Sequence, residues 1–292
     1  MRRQAVIVAL LRLTACLSLS TVHRLGSLTG WLLWLVPNHP RRIAATNLAL
    51  CFPNWQRSDR QRLLRRNLME TSKAVLELGP LWLWNGCRLL NLIQAVEGEE
   101  RWHAAVAQGR GGIAITPHLG AWEIAGLYLS YRYPMTTLYR PSRLGIDAVI
   151  RTGRERLGAR TVPTNGRGVR ALLQSLRAGE VLGILPDQDP GREGGLFAPF
   201  FGRPANTMIL LSRLAMKSGA PVFLLHAERL PQGQGYRLHF NELPRIIGQG
   251  PLETSVAAVN AAVESVVRCQ PEQYLWAYKR FKTPPPGHIK VY

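Results

Sequence analysis

The feature that most constrains the fold of this chain is an alternation of short apolar runs with amphipathic stretches, which begins near residue 111. Aliphatic runs predict β-strands at 112–116, 134–139, 160–163, 181–185, 221–225 and 236–240. Helical patterns predict α-helices at 121–131, 147–157, 168–178 and 207–218. Strands that alternate with helices form a sheet covered by helices. The sequence therefore predicts an α/β fold with a mixed central sheet flanked by helices.

Further helices are predicted on both sides of this alternation. Residues 40–95 have a mainly helical pattern, and Ser58 with Gln61 three residues later forms a candidate capping box at the start of one helix. Gly79 followed by Pro80 predicts the end of that helix. Near the carboxyl terminus, Thr254 or Ser255 is predicted to cap a last helix, which carries valines on one face.

The amino-terminal segment is strongly apolar but interrupted. Residues 5–36 contain Arg12 and the pair His23-Arg24, so no uninterrupted run reaches the roughly 20 residues of a membrane-spanning helix. The apolar pattern continues without a cleavage site, which predicts an uncleaved helical, membrane-associated extension. It is either one span with Arg12 reaching the interface or a helix lying in the interface; a buried core helix is the alternative. The predicted division is residues 1–40 as the anchor and 41–292 as a catalytic domain.

The charge of the chain indicates a polyanionic partner. Lys and Arg total 37 against 18 Asp and Glu, a formal net charge of +19. Nucleic acid, an anionic membrane, and acidic substrates or carrier proteins all satisfy this excess. A nucleic-acid module predicts an RNP stretch or a helix-turn-helix, and neither pattern occurs. Arg41 and Arg42 flank the apolar segment, and no acidic residue precedes Asp59, which favours an anionic cytoplasmic leaflet. The four cysteines form no CxxC pair, so no zinc site is predicted.

Candidate chemistry is concentrated at residues 116–123, directly after a predicted strand. His118 is followed five residues later by Glu123. An imidazole can remove a proton from a hydroxyl, and a carboxylate on its other nitrogen can fix the tautomer. Five residues is a poor spacing for contact within one helix, so the pair requires His118 to lie before the helix, with a bend at Gly120. A structural histidine is the alternative.

Several motifs occur in an order that resembles a known family. They are NLALCFP at 47–53, HLGAWE at 118–123, YRP at 139–141, GILPDQD at 183–189, FFG at 200–202, PEQYLW at 271–276 and RFKT at 280–283. Over about residues 41–283 the chain resembles the bacterial late acyltransferases of lipid A biosynthesis, the lauroyl and myristoyl transferases. These are related to the wider lysophospholipid and glycerol-phosphate acyltransferases.

The resemblance implies a reaction and its partners. The donor would be an acyl chain on acyl carrier protein or on coenzyme A, and the acceptor a hydroxyl of an anionic glycolipid, a lipid A precursor. His118 would be the general base and Glu123 its partner, with no cofactor, metal or covalent acyl-enzyme. The enzyme would act at the cytoplasmic face of the bacterial inner membrane.

Other residues are candidates for substrate contacts. Arg140, Arg154 and Arg167 suit phosphate or carrier binding, because the guanidinium fork matches phosphate geometry. Asp187 follows a predicted strand and is a candidate to position the acceptor, with a structural turn as the alternative. Two functional alternatives stay open: the same chemistry on a lysophospholipid, an aminolipid or a glycosylated phosphatidylinositol, and a non-catalytic membrane scaffold.

Overall fold

A computed structural model describes residues 2–141 and 145–292. The helices are α1 (Arg2–Ala15), α2 (Leu19–Leu35), α3 (His39–Cys51), α4 (Arg57–Leu76), α5 (Leu78–Leu83), α6 (Gly86–Leu90), α7 (Glu99–Val106), α8 (Trp122–Arg132), α9 (Asp147–Glu155), α10 (Gly166–Arg177), α11 (Leu210–Ser218), α12 (Ile246–Gln249) and α13 (Leu252–Cys269). The strands are β1 (Ile93–Glu97), β2 (Gly112–Ile115), β3 (Met135–Tyr139), β4 (Ala159–Pro163), β5 (Val181–Ile184), β6 (Gly195–Phe200), β7 (Arg203–Met208), β8 (Val222–Arg229) and β9 (Tyr236–Glu242).

Seven strands form the predicted mixed central sheet, in the order β1-β9-β8-β2-β5-β3-β4. Every neighbouring pair is parallel except β8 with β9, which is antiparallel. The carboxyl ends of β2, β5, β3 and β4 therefore lie along one edge of the sheet. Ligand sites of open α/β sheets lie at this edge.

The sheet is buried on both faces. Ile113 and Ile115 of β2 belong to one apolar cluster, which also includes side chains of α10, α11 and α13. Ala114, between them, belongs to a second cluster with side chains of α7 and α8. This alternation follows from the two-residue period of a strand, and helices on both faces confirm the predicted layers.

The apolar amino-terminal segment forms two helices rather than one. The Ser18 hydroxyl accepts a hydrogen bond from the main-chain N of Thr21 and caps α2. Gly26 and Gly30 let α2 approach α4 so closely that a β-carbon at Gly30 would lie 2.3 Å from the Cα of Met69. In the described part of the chain, no helix combines the length and the apolarity that crossing a membrane requires.

Several predicted boundaries are wrong. α4 begins at Arg57 after Gln56, so Ser58 is not its cap, and the Gly79-Pro80 pair lies inside α5. α13 begins at Leu252, and the buried Ser255 hydroxyl donates to the main-chain oxygen of Ile247 instead of capping the helix. Residues 203–208, part of which was predicted as helix, form strand β7 of a two-stranded hairpin. β1 and α7 were not predicted.

Two buried asparagines fix the carboxyl-terminal segment against the helical layer. The Asn47 amide donates to the main-chain oxygens of Trp276 and Tyr278, at 2.7 Å each. The Asn67 amide donates to those of Glu272 and Tyr274, at 2.9 and 2.6 Å. These contacts hold residues 272–278 beside the loop that follows β2.

Candidate active site

A tight turn follows β2 and carries His118 at the sheet edge. Gly120 has φ of +62°, and a β-carbon there would lie 2.0 Å from the main-chain oxygen of Ala227. Only glycine fits this backbone without strain. The main-chain N of Ala121 donates to the Ala227 oxygen at 2.8 Å, and that of Leu275 donates to the His118 oxygen at 2.9 Å. The turn is thus held from β8 on one side and from the carboxyl-terminal segment on the other.

A buried ion network lies behind this turn. Arg229, at the end of β8, donates from Nη2 to the Gly120 oxygen at 3.1 Å and pairs with Glu77 and Glu70. Burial alone would raise the pKa of Glu77, but Arg229 outweighs it and lowers that pKa to about 2. His23 of α2 also contacts Glu77, at 3.1 Å. The network ties the first helical layer to the turn.

His118 is hydrogen-bonded to Asp187, the third residue after β5. The imidazole Nδ1 lies 2.8 Å from Asp187 Oδ1, and the main-chain N of His118 donates to Oδ2 at 2.9 Å. β2 and β5 are adjacent parallel strands, which brings these two residues together across 69 positions of sequence. Both oxygens of the Asp187 carboxylate therefore form hydrogen bonds with His118.

Asp187 is ionised in this environment. Its exposed fraction is 4%, and burial alone would raise the pKa of the carboxyl. The nearby His118 and its hydrogen bonds outweigh burial, so the pKa of Asp187 lies below its ordinary value. A carboxylate accepts but does not donate, so the neutral imidazole carries its proton on Nδ1. Nε2 then carries the lone pair of the ring, as a general base requires.

The expected contact between Glu123 and His118 is wrong, because Glu123 points to a different partner. Its Oε1 lies 2.5 Å from Arg154 Nη2, and its Oε2 accepts from Arg154 Nε and from the Trp82 indole, each at 3.1 Å. Burial raises the pKa of Glu123, but Arg154 outweighs it and leaves the pKa lowered. The bend at Gly120 begins α8 at Trp122, which directs Glu123 toward α9 rather than toward the imidazole.

Gln188 lies at the second imidazole nitrogen. Its amide Nε2 is 3.1 Å from His118 Nε2. The next residue, Asp189, is fixed in place: its main-chain N donates to the Tyr278 hydroxyl, and its carboxylate accepts from Thr283 and Asn206. Two immobilised aspartates therefore flank Gln188.

A largely apolar cavity is lined in part by Trp122, whose ring contacts that of His118 at a centroid distance of 5.2 Å. Glu123 and Arg154 also line the cavity. Thr116 and Thr137 line it as well. The apolar side chains of the lining are Trp122, Leu127, Leu129, Met135, Ala159, Ile184 and Leu185. The lining suits an apolar ligand group.

Comparison with known proteins identifies the family. The sequence profile of the bacterial lipid A biosynthesis acyltransferases matches residues 3–283. The chain belongs to this family. It is therefore an acyltransferase, and the resemblance found in its motifs is confirmed.

Relatives of this acyltransferase include three enzymes of Escherichia coli (strain K12). The lipid A biosynthesis palmitoleoyltransferase is 32% identical over 255 residues, which cover 86% of this chain and 81% of the relative. The lauroyltransferase is 28% identical over 281 residues, covering 96% and 91%. The myristoyltransferase is 28% identical over 284 residues, covering 92% and 82%.

The predicted arginines of the acyltransferase occupy different positions relative to His118. Arg140 follows β3, and Arg167 lies in the first turn of α10 after β4, so both are at the same sheet edge as His118 and both are exposed. Arg154 is held by Glu123, and 27% of its side chain is exposed. The structure therefore brings Arg154 to the cavity and leaves Arg140 and Arg167 on the surface farther along the edge.

Sequence reasoning missed the pairing of Asp187 with His118 and the position of Gln188. Both residues directly follow the predicted strand 181–185, as His118 follows the strand 112–116. The rule that singled out His118 therefore applied equally to Asp187. What the sequence lacked was the strand order, because only adjacency of β2 and β5 joins the two loops.

Proposed function

We propose that this acyltransferase moves a fatty acyl chain from a thioester of acyl carrier protein to a hydroxyl of a lipid A precursor. In this proposal His118 is the general base and Asp187 orients it. The observation that carries the proposal is the pair of hydrogen bonds from His118 to the buried Asp187, which leave Nε2 as an acceptor. Membership of the lipid A family supports the reaction class and the acceptor.

The reaction follows from the imidazole geometry. The acceptor hydroxyl gives its proton to His118 Nε2 while its oxygen forms a bond to the thioester carbonyl carbon. The tetrahedral intermediate then breaks its carbon–sulfur bond, and the thiolate takes the proton from Nε2. Asp187 stabilises the imidazolium that exists between these two steps. The histidine is neutral again at the end, and no group on the protein is acylated.

The apolar cavity supports a long acyl chain as the transferred group. The cavity is lined by Trp122, whose ring contacts His118. In this proposal the chain enters the cavity past Trp122, with its thioester near Nε2. In this proposal Glu123 acts by holding Arg154 against the cavity rather than by orienting the base. The Arg154 guanidinium is then available to form hydrogen bonds with the polar end of the donor.

Acyl carrier protein is the proposed donor because of the charge at the sheet edge. Arg140 and Arg167 are exposed at the ends of β3 and β4, and the chain carries a net charge of +19. Acidic partners are attracted to such a surface and associate with it faster. Acyl-coenzyme A, which also bears phosphates, is the alternative donor. The alternative acceptor is another membrane lipid with a free hydroxyl.

We further propose that residues 1–40 bind the cytoplasmic face of the inner membrane while residues 41–292 form the catalytic domain. α1, α2 and the residue after α2 expose apolar side chains: Val6, Leu10, Leu13, Leu25, Leu28, Trp31, Leu32, Leu35 and Val36. A cavity next to the end of α2 is lined by Arg41 and Arg42. An apolar face beside basic residues suits a helix pair lying in an anionic interface.

An acyl-transfer assay in detergent tests the reaction. The wild type and His118→Ala are given a lipid A precursor with lauroyl-, myristoyl- or palmitoyl-carrier protein, and the same acyl groups on coenzyme A. We expect transfer by the wild type, and a loss of about 10²–10⁴-fold in His118→Ala, since the general base is removed. Full activity in His118→Ala contradicts the role of His118. Transfer to a lysophospholipid but not to the precursor contradicts the proposed acceptor.

Vesicle co-sedimentation tests the membrane face. Leu28→Asp/Leu32→Asp places two charges on the exposed face of α2, and Phe197→Asp/Ile246→Asp places two on exposed apolar residues elsewhere. We expect the first pair to abolish binding to phosphatidylglycerol vesicles and the second to preserve it. Equal binding by both pairs contradicts the assignment.

A further inference from the structure

We propose that Gln188 is a catalytic residue, whose side-chain amide donates a hydrogen bond to the thioester carbonyl oxygen while that oxygen carries negative charge. The inference rests on the acyl transfer proposed above and identifies a further group for that reaction. Its starting point is the distance of 3.1 Å between the amide nitrogen of Gln188 and His118 Nε2.

The hydrogen-bond partners of the imidazole decide what this contact is. Asp187 accepts from Nδ1, so the neutral ring has its lone pair on Nε2. The Gln188 nitrogen can only donate, and it therefore donates to that lone pair. Without substrates, Gln188 occupies the direction from which the attacking hydroxyl must approach.

The amide and the hydroxyl compete for one acceptor. The hydroxyl has to come within about 2.6–3.2 Å of Nε2 to transfer its proton, and a single lone pair accepts one good hydrogen bond. Binding of the acceptor therefore displaces the Gln188 amide. The main chain stays in place, because Asp187 is bound to His118 and Asp189 to Tyr278 and Thr283. Only the side chain of Gln188 has to rotate, so its donor remains beside the reacting atoms.

Four main-chain amides of the turn, those of residues 118–121, are already engaged. The amide of His118 donates to Asp187, that of Leu119 to Pro117, that of Gly120 to Gln273, and that of Ala121 to Ala227. These four amides are therefore not available to an oxyanion, although main-chain amides commonly serve that purpose in acyl transfer. A side-chain amide released at the same place is the donor that the geometry supplies.

The displaced amide has a defined target. The acyl carbon must approach the hydroxyl oxygen to about 3–3.5 Å, so the carbonyl oxygen lies within a few ångströms of the position that Gln188 has left. When the hydroxyl oxygen bonds to the carbon, its proton moves to Nε2 and the carbonyl oxygen becomes negative. Gln188 donates a hydrogen bond to this oxygen and transfers no proton. The carbonyl reforms when the thiolate leaves with the proton from Nε2.

Gln188→Met tests the assignment, because it keeps the length of the side chain and removes the donor. The single-turnover rate of lauroyl transfer from lauroyl-carrier protein to a lipid A precursor is measured with both substrates saturating, together with the acceptor KM. We expect the rate to fall about 10²-fold, as for loss of one oxyanion donor, with no increase in the acceptor KM. Gln174→Met, an exposed position on α10, is the matched control and should keep the wild-type rate.

Gln188→Glu gives a second readout, which tests that the side chain of residue 188 lies beside the imidazole. A carboxylate near Nε2 stabilises the imidazolium, so the acidic limb of the kcat/KM profile should move to higher pH, and the rate should fall at least as far as in Gln188→Met. This limb reports where the side chain of residue 188 lies: it would stay in place if that side chain were away from Nε2, whereas the rate loss in Gln188→Met reports the missing donor.

The outcomes separate this proposal from the one on which it rests. Wild-type transfer with an unchanged or faster rate in Gln188→Met overturns the catalytic role of Gln188 and leaves the acyl transfer standing. A slower rate with an unchanged melting temperature and the shifted pH limb in Gln188→Glu supports it. If the wild type transfers no acyl group to the precursor, the proposed function fails, and this assignment fails with it.

Discussion

Asp187 and Glu123 are both buried carboxylates near the imidazole, and they differ in what holds them. Asp187 accepts from the imidazole Nδ1 and the main-chain N of His118. Glu123 accepts from Arg154, which stays charged, and from Trp82. In both cases the partner lowers the pKa of the carboxyl against the effect of burial.

This difference separates two uses of a buried carboxylate. A carboxylate on an imidazole determines which nitrogen carries the proton, and so it orients the proposed base. A carboxylate on a guanidinium balances a permanent charge and fixes the position of one helix against another, here α8 against α9. Closeness in sequence suggested Glu123 as the partner of His118, whereas the adjacency of β2 and β5 selects Asp187.

The largest effect that tests this comparison is expected from Asp187→Asn. The carboxylate accepts two hydrogen bonds from His118, and an amide can accept only one, because its nitrogen would face a donor. We expect kcat for lauroyl transfer to fall about 10²- to 10³-fold, within the range for loss of general-base catalysis. In Glu123→Gln, measured in the same assay, kcat should fall less than about tenfold, since the Asp187–His118 pair is intact.

A larger loss of kcat in Glu123→Gln than in Asp187→Asn would reverse the comparison. Melting temperatures of both variants are needed for that conclusion, because either change weakens a buried hydrogen-bond network.

Much of the fold could be predicted from the sequence because it depends on local periodicity. The strands at β2, β3, β4, β5, β8 and β9 and the helix α8 were predicted to within a few residues, since each has a clear apolar pattern. The hairpin of β6 and β7 was not, because Pro199 and Pro204 interrupt the alternation that marks a strand. Residues 207–218 were predicted as one helix, although α11 begins only at Leu210.

The site could be predicted only in part. His118 was found because it follows a strand, which is a local property. Its partner depends on strand order, and its surroundings depend on the carboxyl-terminal segment, which Asn47 and Asn67 hold beside it. The hydrogen bond from the main-chain N of Leu275 to the main-chain oxygen of His118 cannot be predicted from any periodicity in the sequence.

Gly120→Ala tests the tight turn at Gly120, which directs Glu123 away from the imidazole. A β-carbon there would lie 2.0 Å from the Ala227 oxygen, on a backbone with φ of +62°. We expect the free energy of unfolding to fall by about 3 kcal/mol, a value typical of forced strain and displaced backbone. Gly126→Ala, in α8 with open space around it, should be neutral or stabilising by about 0.5–1 kcal/mol. Equal stabilities in chemical denaturation would contradict the tight turn.

A double-mutant cycle on Glu123 and Arg154 sharpens the same comparison. Glu123→Gln leaves a guanidinium only 27% exposed without its counter-charge. We expect a cost of about 2 kcal/mol in unfolding free energy, below the 3–5 kcal/mol of a fully buried pair. Glu123→Gln combined with Arg154→Met should cost clearly less than the sum of the two single changes. Additive costs would mean that the two side chains do not stabilise each other.

The smallest expected effect is on the pH dependence of stability, and it comes from His226, a buried histidine whose ring neighbour is another histidine rather than a carboxylate. His226 is buried and stacks on His239 at a centroid distance of 4.6 Å; burial, with a smaller effect of His239, lowers its pKa from 6.5 to about 3. Above pH 6.5 the group is neutral in both states and its stabilising contribution is complete. As the pH falls from 6.5 toward 3, only the unfolded chain binds the proton, so stability is lost by up to about 1.4 kcal/mol per pH unit.

Between pH 6.5 and 5 this loss can be separated from that of Glu123 and Asp187. Both have lowered pKa values, so their stabilisation is present above the unfolded carboxyl pKa and is lost only as the pH falls below it, through the folded value. His226→Phe should therefore flatten the pH dependence of the unfolding free energy in this interval, whereas His288→Phe, at an exposed position, should not. If the unfolding free energy changes equally with pH in the wild type, His226→Phe and His288→Phe, His226 is protonated in the folded state within this interval. If it flattens as expected, any loss of activity in this interval that persists in His226→Phe reflects the active site rather than the stability of the fold.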